Sequence, residues 1–199
     1  MTITAERTDF TAARRAMIDS QLRVSGVNAP WLLDAVARVP REDFVPAAAR
    51  GHAYIDRAIP LDAAHALPAP LVHGLMLTHA EPRSDDRVLL VSCGSDYLAA
   101  LVGPMVATLD VVSAADAAAR TKGMGQYSLI LIDGAIEQLP VGLAGELAEG
   151  GRILTGLASR SVTRLALGRK LGGAMSLLPI TDIGIPLLGE FAAPKSWSF

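Results

Sequence analysis

At 199 residues, 51% hydrophobic and only 5% aromatic, the chain has room for one domain whose core is filled mainly by Ala, Leu, Val and Ile. Eighteen Lys and Arg against twenty Asp and Glu give a net charge of -2, which leaves no field to draw phosphate backbones or anionic membranes, so neither is an expected partner. The single cysteine, Cys93, excludes an intramolecular disulfide; MTITAERTD has no signal-like apolar stretch, and no run reaches the ~18 to 20 apolar residues of a spanning helix, so the expected compartment is the cytoplasm.

From Asp9 to Arg23 the residues Phe10, Ala13, Met17, Ile18 and Leu22 recur at helical spacing with charges between them, which predicts an amphipathic helix. Asn28 is a candidate cap for a second helix with Pro30 in its first turn; its stripe is Trp31, Leu32, Ala35 and Val36, and Pro40 ends it. Prolines at 40, 46, 60, 68, 70 and 82 then forbid long regular elements, except that LVHGLMLTHA forms one helix after Pro70.

Beyond Pro82 the pattern changes. RVLLVS, LDVVSA, YSLILIDGA and GRILTGL are short apolar runs suited to buried parallel strands, and SDYLAALVGPM, ADAAARTKG and LPVGLAGELAEG between them suit helices. RLALGRKLGG and AMSLLPITDIG read as two late strands joined near Gly172 and Gly173. The expected fold class is α/β, with a mostly parallel Rossmann-like sheet covered by helices. The division falls into an N-terminal helical and wrapping region, 1–82, and a Rossmann-like domain, 83–199, together one compact unit.

The stretch VLLVSCGSDY places a strand, a glycine turn and a helix in succession. Such a turn sets backbone N–H groups and a helix N-terminus against an anionic or polar ligand, and glycine is needed where a side chain would collide or forbid the backbone angles. Ser92, Gly94 and Ser95 are therefore candidate cofactor contacts by position, with Asp133 at the end of a neighbouring strand. The alternative is a plain strand-to-helix turn capped by Ser95 or Asp96.

In order along the chain, MIDSQLRVSGV, ARVPREDFVP, AYIDRAIPL, the glycine turn, ILIDGAIEQLP and LAEGGRILTG resemble the protein-L-isoaspartate O-methyltransferase family, from about Met17 to about Lys170. The resemblance implies a seven-stranded class I methyltransferase fold, S-adenosylmethionine as cofactor, and repair of isoaspartyl residues by carboxyl methylation. It also implies an acid at the end of the first strand followed by Gly-x-Gly-x-Gly, where this chain has Leu90, then Ser92, Gly94 and Asp96. Asp96 would crowd the cofactor and repel the carboxylate of its methionine moiety. A ribose-gripping acid is implied at the end of the second strand. Ser113 to Ala115 occupy that place, with Asp116 next, either as a substitute or as a helix cap. The family's third strand and helix, with its adenine-contacting loop, has no room in TKGMGQ between Arg120 and Tyr127, so one edge βα unit is expected to be missing and LDVVSA to become an edge strand. Pro68 stands where the family carries a Ser or Thr near the methyl-accepting carboxylate, and proline has neither hydroxyl nor N–H.

The remaining candidates are weaker. His52, His65, His73 and His79 form no metal-binding spacing and are expected to be solvated or at the core edge, so no metal is expected. Cys93 reads as a small buried residue, Asp133 and Glu137 as polar groups of the cleft, and Ser159, Ser161 and Ser176 lack a nucleophile context. The expectation is a degenerate family member with weak or no methyltransferase activity, acting as an interaction protein. Its partner would be a second copy, through the exposed sheet edge or an apolar face, or another protein. The alternatives are an active S-adenosylmethionine-dependent repair enzyme, or a cleft that takes another small molecule.

Overall fold

Asp9 opens the first helix by accepting the Ala12 N–H at 3.1 Å, and α1 (Phe10–Met17) runs on through a wider turn, Ile18–Leu22, to Gly26 in the left-handed region. In this computed structural model, which describes residues 9–193, the second helix, α2 (Pro30–Arg38), starts as the proline predicts. Its cap position is held by Ala29 and not by Asn28, because Pro30 fills the first helical position and shifts the cap one residue downstream of the expectation. A short antiparallel pair, β1 (Ile59–Pro60) with β2 (Ala66–Leu67), precedes α3 (Pro70–Ala80), which Glu81 ends in a left-handed conformation.

The strands β3 (Arg87–Ser92), β4 (Thr108–Ser113), β5 (Tyr127–Ile136), β6 (Leu147–Ser159), β7 (Val162–Leu171) and β8 (Ala174–Asp182) form one sheet in the order β4-β3-β5-β6-β7-β8. The first four are parallel, joined by α4 (Tyr97–Val102), α5 (Ala114–Ala118) and α6 (Val141–Glu146); the last three form an antiparallel meander. The two hairpin turns, Arg160–Ser161 and Gly172–Gly173, have positive φ at both central residues, the geometry whose twist matches the strands they join. β3 and β5 are buried almost throughout, as uninterrupted apolar runs require. Buried side chains from Met17 to Phe191 make one contiguous core. No helix among the described residues is long and apolar enough to cross a membrane.

β4 is an edge strand and most of its residues are exposed, with Val111 at 43%. The six strands match a seven-stranded plan short of one, and no strand lies between α5 and β5. The short connection that replaces it is closely fitted. A β-carbon on Gly123 would lie 1.9 Å from the Gly145 carbonyl carbon, and one on Gly142 would lie 2.0 Å from the Arg120 oxygen. The Gly125 N–H donates to Gly145 O at 2.9 Å, and Arg120 pairs with the buried Glu146. Two backbones thus pack directly on each other where a side chain would stand.

Gly123→Ala therefore loses about 1–3 kcal/mol of stability or fails to fold, whereas Gly51→Ala, with nothing within 4 Å of its new carbon, changes it by less than about 0.5 kcal/mol. Urea denaturation of the two variants checks this; equal midpoints would show the joint to be loose.

Candidate active site

The turn between β3 and α4 satisfies its own polar groups. Gly94 has φ +94°, a conformation that a side chain disfavours. Its N–H donates to Ser92 Oγ at 3.0 Å, and the Ser92 hydroxyl in turn donates to Ser95 O at 3.1 Å. Ser95 turns inward, donating to Phe44 O at 3.1 Å and accepting the Tyr97 N–H at 3.4 Å. Of the two cap candidates, Asp96 holds the cap position without a side-chain bond, while Ser95 makes the side-chain contact to the helix.

Beside the turn lies a cleft of ≈ 370 Å³, lined by Ser92, Gly94, Asp96, Ser113 and Glu190 together with His65 and the wall of Val111 to Ala115. Of the predicted contacts, the structure thus brings Ser92 and Gly94 to one surface. Asp116 is not the cap of α5. Ser113 is the cap, accepting the Asp116 N–H at 3.0 Å, and the Asp116 carboxylate accepts the Ser113 hydroxyl at 2.7 Å.

Asp133 lies apart from that wall. It is fully buried within β5, accepting from His73 Nε2 at 2.8 Å and from the Cys93 thiol at 3.1 Å. This differs from the expectation of a polar cleft residue, and His73, expected solvated or at the core edge, is buried beside it. The chain continues through Arg41, which donates from Nη1 to His73 Nδ1 at 3.3 Å, from Nε to Ala53 O at 2.8 Å and from Nη2 to Pro68 O at 2.5 Å. Its guanidinium stands 4.8 Å from the Tyr97 ring centroid. Since guanidinium only donates and carboxylate only accepts, His73 is fixed as the neutral tautomer with its proton on Nε2. Burial lowers the Arg41 pKa, against the opposing pull of Tyr97 and Asp133. Burial first, and then the Asp133 charge, push the Cys93 thiol far up, so it stays protonated. The network joins the C-terminal ends of β3 and β5, the region in which open α/β sheets hold ligands.

Pro68 is buried, and its carbonyl is taken by Arg41. His65 is partly buried, whereas His52 and His79 are exposed; no cluster of metal-holding groups exists among the described residues. Glu137 is exposed and accepts the Ala193 N–H at 2.7 Å. Ser159 and Ser161 sit at the β6–β7 turn and Ser176 on β8.

Neither Arg41 nor the pairing of His73 with Asp133 stands out in the sequence. One signal was present for the second. α3 is apolar on nearly every side, so a histidine away from its ends is placed to be buried and to need a partner, whereas His79 in the last turn is exposed.

Comparison with known proteins bears on this site. The family model for protein-L-isoaspartate(D-aspartate) O-methyltransferase matches residues 12–120, and its match ends where the shortened connection begins. A protein-L-isoaspartate O-methyltransferase of Roseiflexus castenholzii is 32% identical, with 92% of this chain and 95% of that protein covered. One from Koribacter versatilis is 30% identical, with 96% and 97% covered. Among solved structures, a protein-L-isoaspartate O-methyltransferase from Plasmodium falciparum, in complex with S-adenosyl-L-homocysteine, superposes with a TM-score of 0.70 at 14% identity, covering 92% of this chain and 99% of that one.

The burial and protonation of Cys93 predict that a thiol reagent such as dithionitrobenzoate labels the native protein on the order of 10²-fold more slowly, or slower still, than the protein in denaturant. Rapid native labelling would place the thiol at a surface and dissolve the network.

Proposed function

The chain belongs to the protein-L-isoaspartate O-methyltransferase family, and on that premise we propose that it keeps the methyltransferase fold without tight S-adenosylmethionine binding or methyl transfer, and works as a dimeric interaction protein. The observation that carries this reading is the closed network at the ends of β3 and β5, where Asp133, His73, Arg41 and Cys93 satisfy one another.

The cleft beside it does not fit the cofactor. The Gly94 N–H that a carboxylate would seek is taken by Ser92, and Asp96 brings a negative charge to the same wall. The acid nearest the end of β4, Asp116, is turned toward the start of α5, where its Oδ2 accepts the Ser113 hydroxyl. The wall that a further strand and its loop would supply for adenine is missing among the described residues. The methyl-accepting side lacks a hydroxyl at Pro68, whose carbonyl is engaged inward.

Dimerisation is supported by the bare edge of β4 and by exposed apolar side chains such as Val111 and, at the far side of the sheet, Leu171 and Leu178. A cytoplasmic setting accords with a single thiol held reduced and buried. The second reading, an active repair enzyme, is favoured by the near-full-length relatives that carry that name.

Calorimetric titration with S-adenosylmethionine and S-adenosylhomocysteine decides between the two. The expected result is no heat at ligand concentrations well above micromolar; micromolar affinity, about -8 kcal/mol, would restore the enzyme reading and call for isoaspartyl-peptide assays. Light scattering at micromolar concentration is expected to give twice the 20.8 kDa of one chain, and a clean monomer would remove the dimeric role.

A further inference from the structure

The loop 61–65 lies over the glycine turn. A β-carbon built on Gly94 would meet Leu61 Cδ1 at 3.8 Å and His65 Cβ at 3.9 Å. At the rim of the cleft both nitrogens of His65 face carboxylates: Nδ1 lies 3.0 Å from Asp62 Oδ2, and Nε2 lies 2.9 Å from Glu190 Oε1, a residue 125 positions away. Carboxylates only accept, and a neutral imidazole has one N–H, so the two contacts together require the imidazolium.

We propose that His65 is a proton-operated latch: charged, it ties the 61–65 loop to Glu190 across the rim of the cleft, and on losing its proton it releases that loop from the C-terminal segment. The asymmetry of the two contacts says which one breaks. Asp62 is fixed in place, since its Oδ1 also accepts the Ala64 and His65 N–H groups at 2.7 and 2.8 Å. A neutral His65 therefore keeps its proton on Nδ1 and turns a bare lone pair toward Glu190. The Glu190 side cannot follow the loop, because Phe191 is buried and its carbonyl accepts the N–H groups of Glu137 and Gln138. The charged groups facing His65 are all acidic: Asp62 on its own loop, Glu190 on the C-terminal turn, and Asp96 from the start of α4 across the cleft. No lysine or arginine lines the cleft.

The titration follows the same direction. The Glu190 hydrogen bond, and then that of Asp62, raise the His65 pKa. The Ala64 backbone N–H, and then His65, hold the Asp62 carboxyl down to about 2. Burial pushes Glu190 up, but the His65 bond outweighs it and leaves the carboxyl lowered. Because the folded pKa of His65 is raised, the latch is fully closed below the ordinary histidine value near ~6.5 and is lost as pH rises through the folded value. The latch does not depend on whether the cleft has lost its cofactor.

The test is an NMR pH titration of the isotope-labelled full chain. Expected are a His65 midpoint above ~6.5, amide shifts of residues 62–65 and Glu190 that share that midpoint, and order parameters of the loop falling from about 0.85 to below 0.6 across it. Glu190→Gln should move the His65 midpoint down toward ~6.5. A His65 midpoint at or below that value in the native chain, or a loop equally rigid on both sides of the midpoint, would overturn the latch.

Discussion

A carboxylate with no access to water sets the terms for the centre of this molecule. Moving a charge of that size from water into a protein interior costs several kcal/mol even after relaxation, so Asp133 requires compensating donors wherever the chain can supply them. His73 and Cys93 supply two, and Arg41, one imidazole further on, supplies the opposite charge. The consequences reach well beyond one side chain. Arg41 draws the segment after α2 inward and fixes the carbonyls of Ala53 and Pro68, which flank β1 and β2. The wrapping region from Pro40 to Pro70, built of short 3-10 turns and the two-residue strands β1 and β2, is thereby tied inward by one buried guanidinium, with Ser95 adding a bond to the Phe44 carbonyl.

The opposite end of the sheet uses the same device with different residues. Arg152 on β6 pairs with the buried Asp86 at 2.7 Å and donates to the carbonyls of Ala80 and Glu81, which close α3. Burial pushes the Asp86 carboxyl up, yet the Arg152 and Ser128 hydrogen bonds prevail and hold it below its ordinary range. α3 is thus fastened to the sheet at both ends, through His73 near its start and through its terminal carbonyls. With both ends fixed, α3 has little freedom to move off the sheet, and the buried polar groups beneath it already have partners.

Much of this architecture was legible in the sequence, and the reason lies in the locality of the signals. Continuous apolar runs mark β3, β5 and β6 because strands buried on both faces cannot alternate. The six residues TKGMGQ could not hold a strand and a crossover, and the edge position of β4 follows from that count. Where a neighbour decided the outcome, the local pattern misled. Asn28 and Asp116 both have the chemistry of caps, but Pro30 moved one cap to Ala29, and Ser113 took the other while Asp116 became its partner. Contacts across the chain were invisible: 60 residues separate His73 from Asp133, and 125 separate His65 from Glu190. Nothing in a single sequence says that two titratable residues so far apart meet, except that a histidine in the middle of a mostly apolar helix, once buried, must meet something.

The features around the glycine turn also make physical sense as a set. A turn that offers free N–H groups to a ligand leaves them to water when the ligand is absent, and a serine at position 92 removes that dependence by accepting the Gly94 N–H within the turn itself. A carboxylate at position 96 would oppose an anionic ligand, yet at the exposed start of α4 it is well placed against the positive end of the helix. Deleting an edge unit exposes a strand, yet direct backbone packing at Gly123 and Gly145 closes the connection without a gap. Each of these features satisfies polar groups of the fold itself or closes its own packing. Among the described residues the one buried side-chain nitrogen or oxygen without a partner is Gln21 Oε1, on the wide turn that follows α1 and away from the glycine turn. A turn satisfied in this way holds its shape with or without a ligand, which is what the proposed surface role requires of it.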